Sequence, residues 1–307
     1  MLAQFIETKK NRFSVEKIIN SGSLDTAHST GFVWSAKPGT VCLAANRKYF
    51  QKAHSNPDVA VIICPPSAVW KSDRADLSVI VATSAAELFY ELHNSEFNTR
   101  HLSEELPNGV SRSAQISPNA IIENNVEIGD DTIVEDGCIV KSGSRIGAGC
   151  HLYESVIVGS EGFFSKDIDG KKNHVTHFGG VRIGDGCIIH AATNVSRSVN
   201  LQEDTVLKNS VHVGIQSNIG HDCYVGEGAD ISAKVMLAGR VRVGKNAWIG
   251  AGAVVSNEVS VGDKARVSIG SVVVEDVQEG DSVAGNFAIS LKQHIHNHRK
   301  LKAERLR

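Results

Sequence analysis

From Ile116 onward the chain keeps one beat. Stepping by six residues reaches Ile122, Ile128, Val134, Val140, Ile146, Leu152 and Val158, and every stop is Ile, Val or Leu. The phase then breaks. It resumes at Ile183 and runs through Ile189, Val195, Leu201, Leu207 and eleven further stops to Val273 without a miss. Hydrophobic residues make up 41% of the chain, so runs of 8 and 16 such positions are not a product of chance. Neither the strand period of 2 nor the helix period of 3.6 gives a beat of six. A flat face of two strand steps followed by a corner does. Three such faces, three hexads, close one triangular coil, and 24 hexads give about eight coils. Each apolar residue then points inward and stacks on its equivalent about 4.8 Å along the axis. Glycine often follows the inward residue, as at Gly129, Gly147, Gly184, Gly220, Gly226, Gly244 and Gly250, where a corner is expected to need permissive φ/ψ. The pattern predicts a left-handed parallel β-helix of hexapeptide repeats over 108–286, its hand opposite to the usual right-handed crossover.

The step from Val158 to Ile183 is four hexads plus one position, which breaks the phase, so residues 159–182 leave the coil as a loop. Long loops in compact folds are often functional, although a tolerated insertion explains the length equally well. Residues 1–107 lack the six-residue beat. "VAVIIC" and "LSVIVA" read as buried strands. "FSVEKIIN" reads as a short helix capped by Ser14, and "SAAELFYELHN" as a helix with a Ser84–Glu87 capping box. Together they predict a small N-terminal α/β domain. Residues 287–307 form a basic helical tail, with Lys292, Arg299, Lys300, Lys302, Arg305 and Arg307 set against Glu304. A solvated terminal helix accounts for that charge, and so does a handle for an acidic partner.

Composition narrows the function. A net charge of −2 gives no case for nucleic-acid binding. The sequence holds no apolar run long enough to span a bilayer, so no transmembrane segment is expected. The opening "MLAQFIETKKNRF" lacks a signal-peptide core, and a cytoplasmic location is expected. The six cysteines form no CxxC pair and read as reduced, mostly buried thiols. Glycine is abundant at 28 and proline sparse at 6, as suits tight turns in a regular backbone.

Three stretches carry a resemblance over nearly the whole chain. They are "AKPGTVCLAANRKYFQKAHSNPDVAVIICPP", "GSEGFFSKDIDGKKNHVTHFGGVRIGDGCIIHAATNVSR" and "DTVLKNSVHVGIQSNIGHDCYVG". The first is similar to the uridine-binding segment of the UDP-3-O-acylglucosamine N-acyltransferases, the second to their loop and following coil, the third to their catalytic coil. The resemblance implies a homotrimer with active sites between subunits, a UDP-linked amino sugar as substrate, and no permanently bound cofactor. The donor it implies is an acyl thioester on phosphopantetheine, carried by acyl carrier protein or coenzyme A. Substrate contacts are implied at Leu43, Asn46 and Tyr49, and in the loop at Phe163 and His177. His221 falls on the family's general base. The sequence departs from the family at Leu43, where an aromatic residue is usual, at Gly214, where the family has Asp, and at Glu258, where it has a second histidine near the phosphates.

The candidate catalytic residues are His221, Gly239, Asp222 and Glu258. Forming an amide from a thioester needs an uncharged amine and a base to take its proton, and histidine suits that task. His221 lies two residues past the inward Ile219, beyond a corner and pointing outward, where a trimer partner could cover it. One coil on, Gly239 is expected beside it, with its backbone N–H open to the thioester oxygen. Asp222 either orients the imidazole or is a solvated turn residue. Cys223 reads as a packed thiol. No metal is expected. The γ-type carbonic anhydrases that share this coil use histidines five apart, and His221 has none at 216 or 226. His190 and His212 do not supply that spacing, and His294, His296 and His298 splay on a helix. Two other readings stand beside the N-acyltransferase: an acetyl-CoA-dependent sugar acetyltransferase, which "GHDC" also resembles, and a nucleotide-sugar-binding scaffold without catalysis.

Overall fold

The computed structural model describes residues 4–7, 11–19, 27–95, 109–168, 170–201, 203–285, 288 and 290–304. The boundary expected at 107/108, the start of the tail at 287, and Arg305 and Arg307 lie outside the described residues.

The six-residue beat becomes a left-handed parallel β-helix. Strands of two to four residues stack into three parallel sheets of 7, 9 and 8 strands. Most neighbours along a sheet are three hexads apart in the chain, as in Val140↔Val158, Val225↔Val243 and Leu237↔Val255. The inward residues form columns closed to water, one of them running Val140, Val158, Val195, Ile219, Leu237 and Val255, each 0% exposed. Burying each such side chain contributes roughly 1.5–3 kcal/mol. A second inward column stands four residues after the first and takes small side chains. Cys138, Cys150, Cys187 and Cys223 belong to it, as do Thr193, Ser217, Ala229 and Ala253, all buried. All six cysteines are buried and unpaired, so the thiols are packing residues as expected.

The glycines work differently from the expectation. Gly129 and Gly220 are not at positive φ. A Cβ on Gly129 would lie 2.6 Å from Ala148 N, and one on Gly220 would lie 2.7 Å from the Ala238 carbonyl carbon, so glycine is there because the next coil passes too close for a side chain. The left-handed residue of each corner comes two positions later. Asp131, Asp222, Arg240 and Glu258 hold it at φ 56°, 59°, 65° and 65°.

Two coils are oversized. Ile146 pairs with Ile183, where a regular coil would bring position 164 alongside, so the whole loop is inserted within one coil. Ile183 pairs with Leu207 and Val195 with Ile219, in each case one hexad more than a regular coil holds, so the next coil carries an extra hexad. Leu201, which keeps the sequence beat, is half-buried and outside any strand. It belongs to that excursion and not to the core column. The loop itself carries an antiparallel hairpin, Ser165–Ile168 against Lys171–His174.

Before the coil, strands β1 (Gln4–Glu7) and β2 (Arg12–Val15) form an antiparallel pair. A five-stranded sheet follows, built from β3 (Lys17–Ile19), β4 (Ser29–Gly31), β5 (Thr40–Leu43), β6 (Val59–Cys64) and β7 (Ser78–Val81). Its order is β3-β7-β6-β5-β4, with β3 antiparallel. "VAVIIC" and "LSVIVA" are the strands expected, whereas "FSVEKIIN" is not a helix. Phe13 and Val15 are buried on alternate positions of β2, and Ile18 and Ile19 pair with Ile80 and Val79. β-branched residues at a sheet edge outweigh the cap signal at Ser14. Helices α1 (Arg47–His54) and α2 (Ala85–His93) pack on the sheet. Ser84 does stand at the N-cap of α2, but its side chain makes no capping hydrogen bond. Helix α3 (Leu291–Glu304) follows the last coil. Among the described residues no helix is long and apolar enough to cross a membrane.

The C-terminus of α2 fastens the loop. His93 is 1% exposed. Its Nε2–H donates to the Thr176 carbonyl at 2.8 Å, which leaves Nδ1 to accept from the Thr30 hydroxyl at 2.6 Å. Asn94 donates to the His174 carbonyl at 3.0 Å and accepts from Thr176 N–H at 3.0 Å. Burial holds the His93 imidazole below the ordinary histidine range, against the pull of the Thr176 carbonyl and Asp222. As pH falls through about 6.5 the unfolded chain takes up a proton that the native His93 resists, so stability present above that pH is lost below it. Calorimetric melting should therefore show Tm falling from pH 7 to pH 5. His93→Gln, which keeps a donor and an acceptor but does not titrate, should fall less steeply. Equal slopes would show that His93 does not carry the acid sensitivity.

Candidate active site

One corner of the coil, repeated once per turn, stacks His221, Gly239 and Asn257 in one line and Asp222, Arg240 and Glu258 in the next. Backbone bonds tie the rungs: Arg240 N–H to the His221 carbonyl at 2.8 Å, and Glu258 N–H to the Gly239 carbonyl at 3.1 Å. Aspartate tolerates the left-handed conformation that position 222 requires. That conformation turns its carboxylate onto its neighbour, and His221 Nδ1 lies 2.6 Å from Asp222 Oδ2. The other carboxylate oxygen accepts from Ser198 Oγ and, at 3.0 Å, from Val199 N–H. Asp222 N–H donates to Thr205 Oγ1 at 2.9 Å. Ser198, Val199 and Thr205 lie in the oversized coil, so the extra hexad supplies the groups that anchor Asp222. A carboxylate only accepts, so Nδ1 carries the proton and Nε2 keeps its lone pair.

Nε2 lies over Gly239, where a Cβ would fall 2.4 Å from it. The glycine gives the ring room. Its N–H is not open, however: it donates to Asn257 Oδ1 at 3.0 Å, contrary to the sequence expectation. His221 is not exposed either. It points out of the coil, yet only 6% of its surface is reached by water. The loop lies across it. Gly162 approaches so closely that a Cβ there would sit 3.0 Å from His221 Cδ2. Phe164 and His177 each hold their ring centroids 5.3 Å from the His221 ring, His177 edge-on at 84°. The cover comes from the same chain, so it does not need a partner subunit.

His177 is buried, and its Nδ1–H donates to the Val175 carbonyl at 3.0 Å. Among the described residues its Nε2 is buried with no hydrogen-bond partner. Burial, reinforced by His221, pushes its pKa down to about 4. Phe163 is 95% exposed, and the ring contact with His221 is made by the next residue, Phe164. Cys223 is buried at the floor of the coil, and burial pushes its thiol up to about 12, consistent with packing and not with nucleophilic use.

Two depressions adjoin this corner. One, of about 340 Å³, is lined by Leu43 and Tyr49 together with Trp34, Phe164, Arg240 and Glu258. The other, of about 830 Å³, is lined by Lys37, Lys52, Arg182, Asp222 and Arg242 among others. The Arg240 guanidinium lies 4.6 Å over the Phe32 ring and 5.7 Å from that of Phe164, and pairs with Glu258 at 2.8 Å. His221 lines neither depression, because Phe164 stands between it and the smaller one. Asn46 lines neither. It is the N-cap of α1 and accepts from Tyr49 N–H at 3.1 Å. At Gly214 a side chain has no room, since a Cβ would lie 2.5 Å from Ala233 N. Glu161, His174 and His177 bring ligand atoms within 4.8 Å of one another. The His174 Nε2–Glu161 contact at 2.6 Å and the His177–Val175 bond already account for that grouping.

Sequence reasoning missed Phe164, Arg240 and Asn257, and the aromatic pair Phe32 and Trp34, stacked at 5.3 Å. One coil's step from 222 and from 239 reaches Arg240 and Asn257. Nothing in the sequence marks Phe32, Trp34 or the choice of Phe164 over Phe163.

No protein-family model matches the chain. Curated relatives do. The UDP-3-O-acylglucosamine N-acyltransferase of Delftia acidovorans is 27% identical over 220 residues, covering 68% of this chain and 64% of the relative. That of Paracidovorax citrulli is 28% identical over 202 residues, covering 58% and 55%. That of Janthinobacterium sp. (strain Marseille) is 31% identical over 112 residues, covering 36% and 31%. The chain thus spans about a third to just under two thirds of the length of these relatives. Among solved structures, the UDP-N-acetylglucosamine acyltransferase from Campylobacter jejuni superposes with a TM-score of 0.43 at 22% identity, covering 62% of this chain and 81% of that one. By sequence, the chain is a divergent hexapeptide-repeat protein similar to the UDP-3-O-acylglucosamine N-acyltransferases.

Proposed function

We propose that the chain is an N-acyltransferase that moves an acyl group from a phosphopantetheine thioester to the amino group of a UDP-linked amino sugar. The observation that carries this reading is the His221 imidazole, proton fixed on Nδ1 by Asp222 and Nε2 left free over Gly239. The similarity to the N-acyltransferases supports the substrate class. In this reading the amine nitrogen attacks the thioester carbon and its proton passes to His221 Nε2. The tetrahedral intermediate collapses, the C–S bond breaks, and the thiolate takes the proton back. Asp222 stabilises the imidazolium in between. The oxyanion takes over the hydrogen bond from Gly239 N–H that Asn257 Oδ1 now accepts. Tyr49, with Trp34 in place of an aromatic residue at Leu43, offers the nucleotide base its stacking faces. Arg240, already neutralised by Glu258, stands where the two depressions meet.

The donor we infer is acyl carrier protein. The exposed Lys292, Arg299 and Lys300 on α3 suit an acidic carrier, and such steering weakens as salt shortens the screening length. The assembly we infer is a trimer. Met236, Val254 and Val272 succeed one another on one outward face at 44%, 40% and 69% exposure, with Ile215 at 47% and Ile269 at 60% on the adjoining corner. Such a stripe of exposed apolar side chains supports an interface on that face.

Acyl transfer from acyl carrier protein to UDP-glucosamine should fall by ~10²–10⁴ in His221→Ala. Gly239→Ala should fall by ~10² because its methyl displaces the base. Near-normal rates in both folded variants, or a faster reaction from acetyl-CoA, would reject this mechanism or its donor. Titration calorimetry should show UDP binding that weakens in Tyr49→Ala, whereas no heat at millimolar UDP would remove the nucleotide. Sedimentation should give a trimer that Val254→Lys splits, and a stable monomer at micromolar concentration would contradict the interface.

A further inference from the structure

His177 is used by no step described so far, and its environment is unusual. Its side chain has no exposed surface. The Val175 carbonyl can only accept, so the bond at 3.0 Å places the ring proton on Nδ1. Nε2 is therefore a bare acceptor, and it is buried without a partner among the described residues. Buried polar atoms are almost always satisfied, and an exception calls for an explanation. The loop does not leave this ring free to turn away. Its backbone at Thr176 is held by His93 of α2 and by Asn94, the residue that caps it, at 2.8 and 3.0 Å. The bare nitrogen is thus fixed in place, on a ring standing edge-on to His221 at 5.3 Å. Phe164 touches the His221 and His177 rings, at 5.3 and 6.5 Å, and also lines the smaller depression. Phe164 thus connects the pair of imidazoles with the space that Leu43 and Tyr49 line.

We propose that His177 is a second substrate-contacting imidazole, whose bare Nε2 accepts a hydrogen bond from the amino group that receives the acyl chain and holds that group against His221. The proposal rests on the acyltransfer reading and deepens it. An amine that attacks a carbonyl keeps one N–H after losing the other. An acceptor on that N–H turns the lone pair toward the thioester while the departing proton goes to His221. No proton moves to His177 at any stage. The groups facing it are His221 and Asp222 from the coil and Glu161 and His174 from the loop. Burial outweighs the two carboxylates and keeps the ring neutral at the pH of the reaction. A charged ring there would repel a protonated amine and the imidazolium alike. A neutral acceptor welcomes the amine and leaves the basicity of His221 to do the chemistry.

The test uses the full chain labelled with ¹⁵N-histidine, with UDP and UDP-glucosamine as probes. In the free wild-type protein the His177 Nε2 resonance should sit where unprotonated imidazole nitrogens do. UDP-glucosamine should move it upfield and UDP should not. By calorimetry, His177→Leu should lose about tenfold of the affinity by which UDP-glucosamine exceeds UDP, leaving UDP binding unchanged, while His177→Gln, which presents an acceptor at similar reach, should retain most of it. UDP-glucosamine that binds with the Nε2 resonance unmoved overturns this proposal and leaves the acyltransfer reading intact. The same holds for a folded His177→Leu that binds both probes like wild type. Failure of UDP-glucosamine to bind at all removes the acyltransfer reading, and this proposal with it.

Discussion

The structure depends on one constraint: each coil lays its backbone on the last at the spacing of a hydrogen-bonded strand pair. Amide-to-carbonyl bonds such as Gly220 to Leu237 at 2.9 Å and Gly226 to Val243 at 2.8 Å run along the whole axis. A residue's neighbours are therefore set by its place in the repeat. Inward positions must be Ile, Val or Leu, the second inward position must be small, and glycine is required wherever the next coil leaves no space for a Cβ. The corner must accept positive φ. Asp222 meets that demand and, in meeting it, delivers a carboxylate to His221. The site grows out of the scaffold's own geometry, with the stacked rungs 221/239/257 and 222/240/258 giving it width.

The departures from regularity are where the site is finished. The extra hexad between Val195 and Leu207 brings Ser198, Val199 and Thr205 to Asp222 and fixes an aspartate that would otherwise be a solvated turn. The long insertion after Val158 brings Gly162, Phe164 and His177 across His221 and shuts out water. That insertion is in turn fastened to the N-terminal sheet through His93 and Asn94. A regular coil supplies His221, and two irregular ones supply its orientation and its enclosure.

Much of this was legible in the sequence, and the remainder was not for definite reasons. Ile116 to Val273 announces the coil because a buried column tolerates few residue types. His221 and Gly239 are adjacent by the arithmetic of three hexads per coil, which also reaches Asn257, although it cannot say that an asparagine oxygen takes the Gly239 N–H. The beat misleads at Leu201, because an apolar residue can keep the phase while the chain leaves the stack. Phe163 and Phe164 differ only in which way an irregular loop turns them, and no periodicity decides that. "FSVEKIIN" carries both helix-cap and strand signals, and the sheet partners Val79 and Ile80 decide between them.

The central claim is that Asp222 makes His221 a base by fixing its tautomer. Asparagine is isosteric with aspartate and accepts the same left-handed corner, so Asp222→Asn changes the charge and the acceptor while keeping the fold. The decisive measurement is the turnover number of Asp222→Asn, with Tm recorded on the same preparation. The account predicts a loss of ~10² or more in kcat with the fold retained. A variant that melts like wild type and turns over at the wild-type rate would show that the Asp222–His221 bond is a feature of the corner alone.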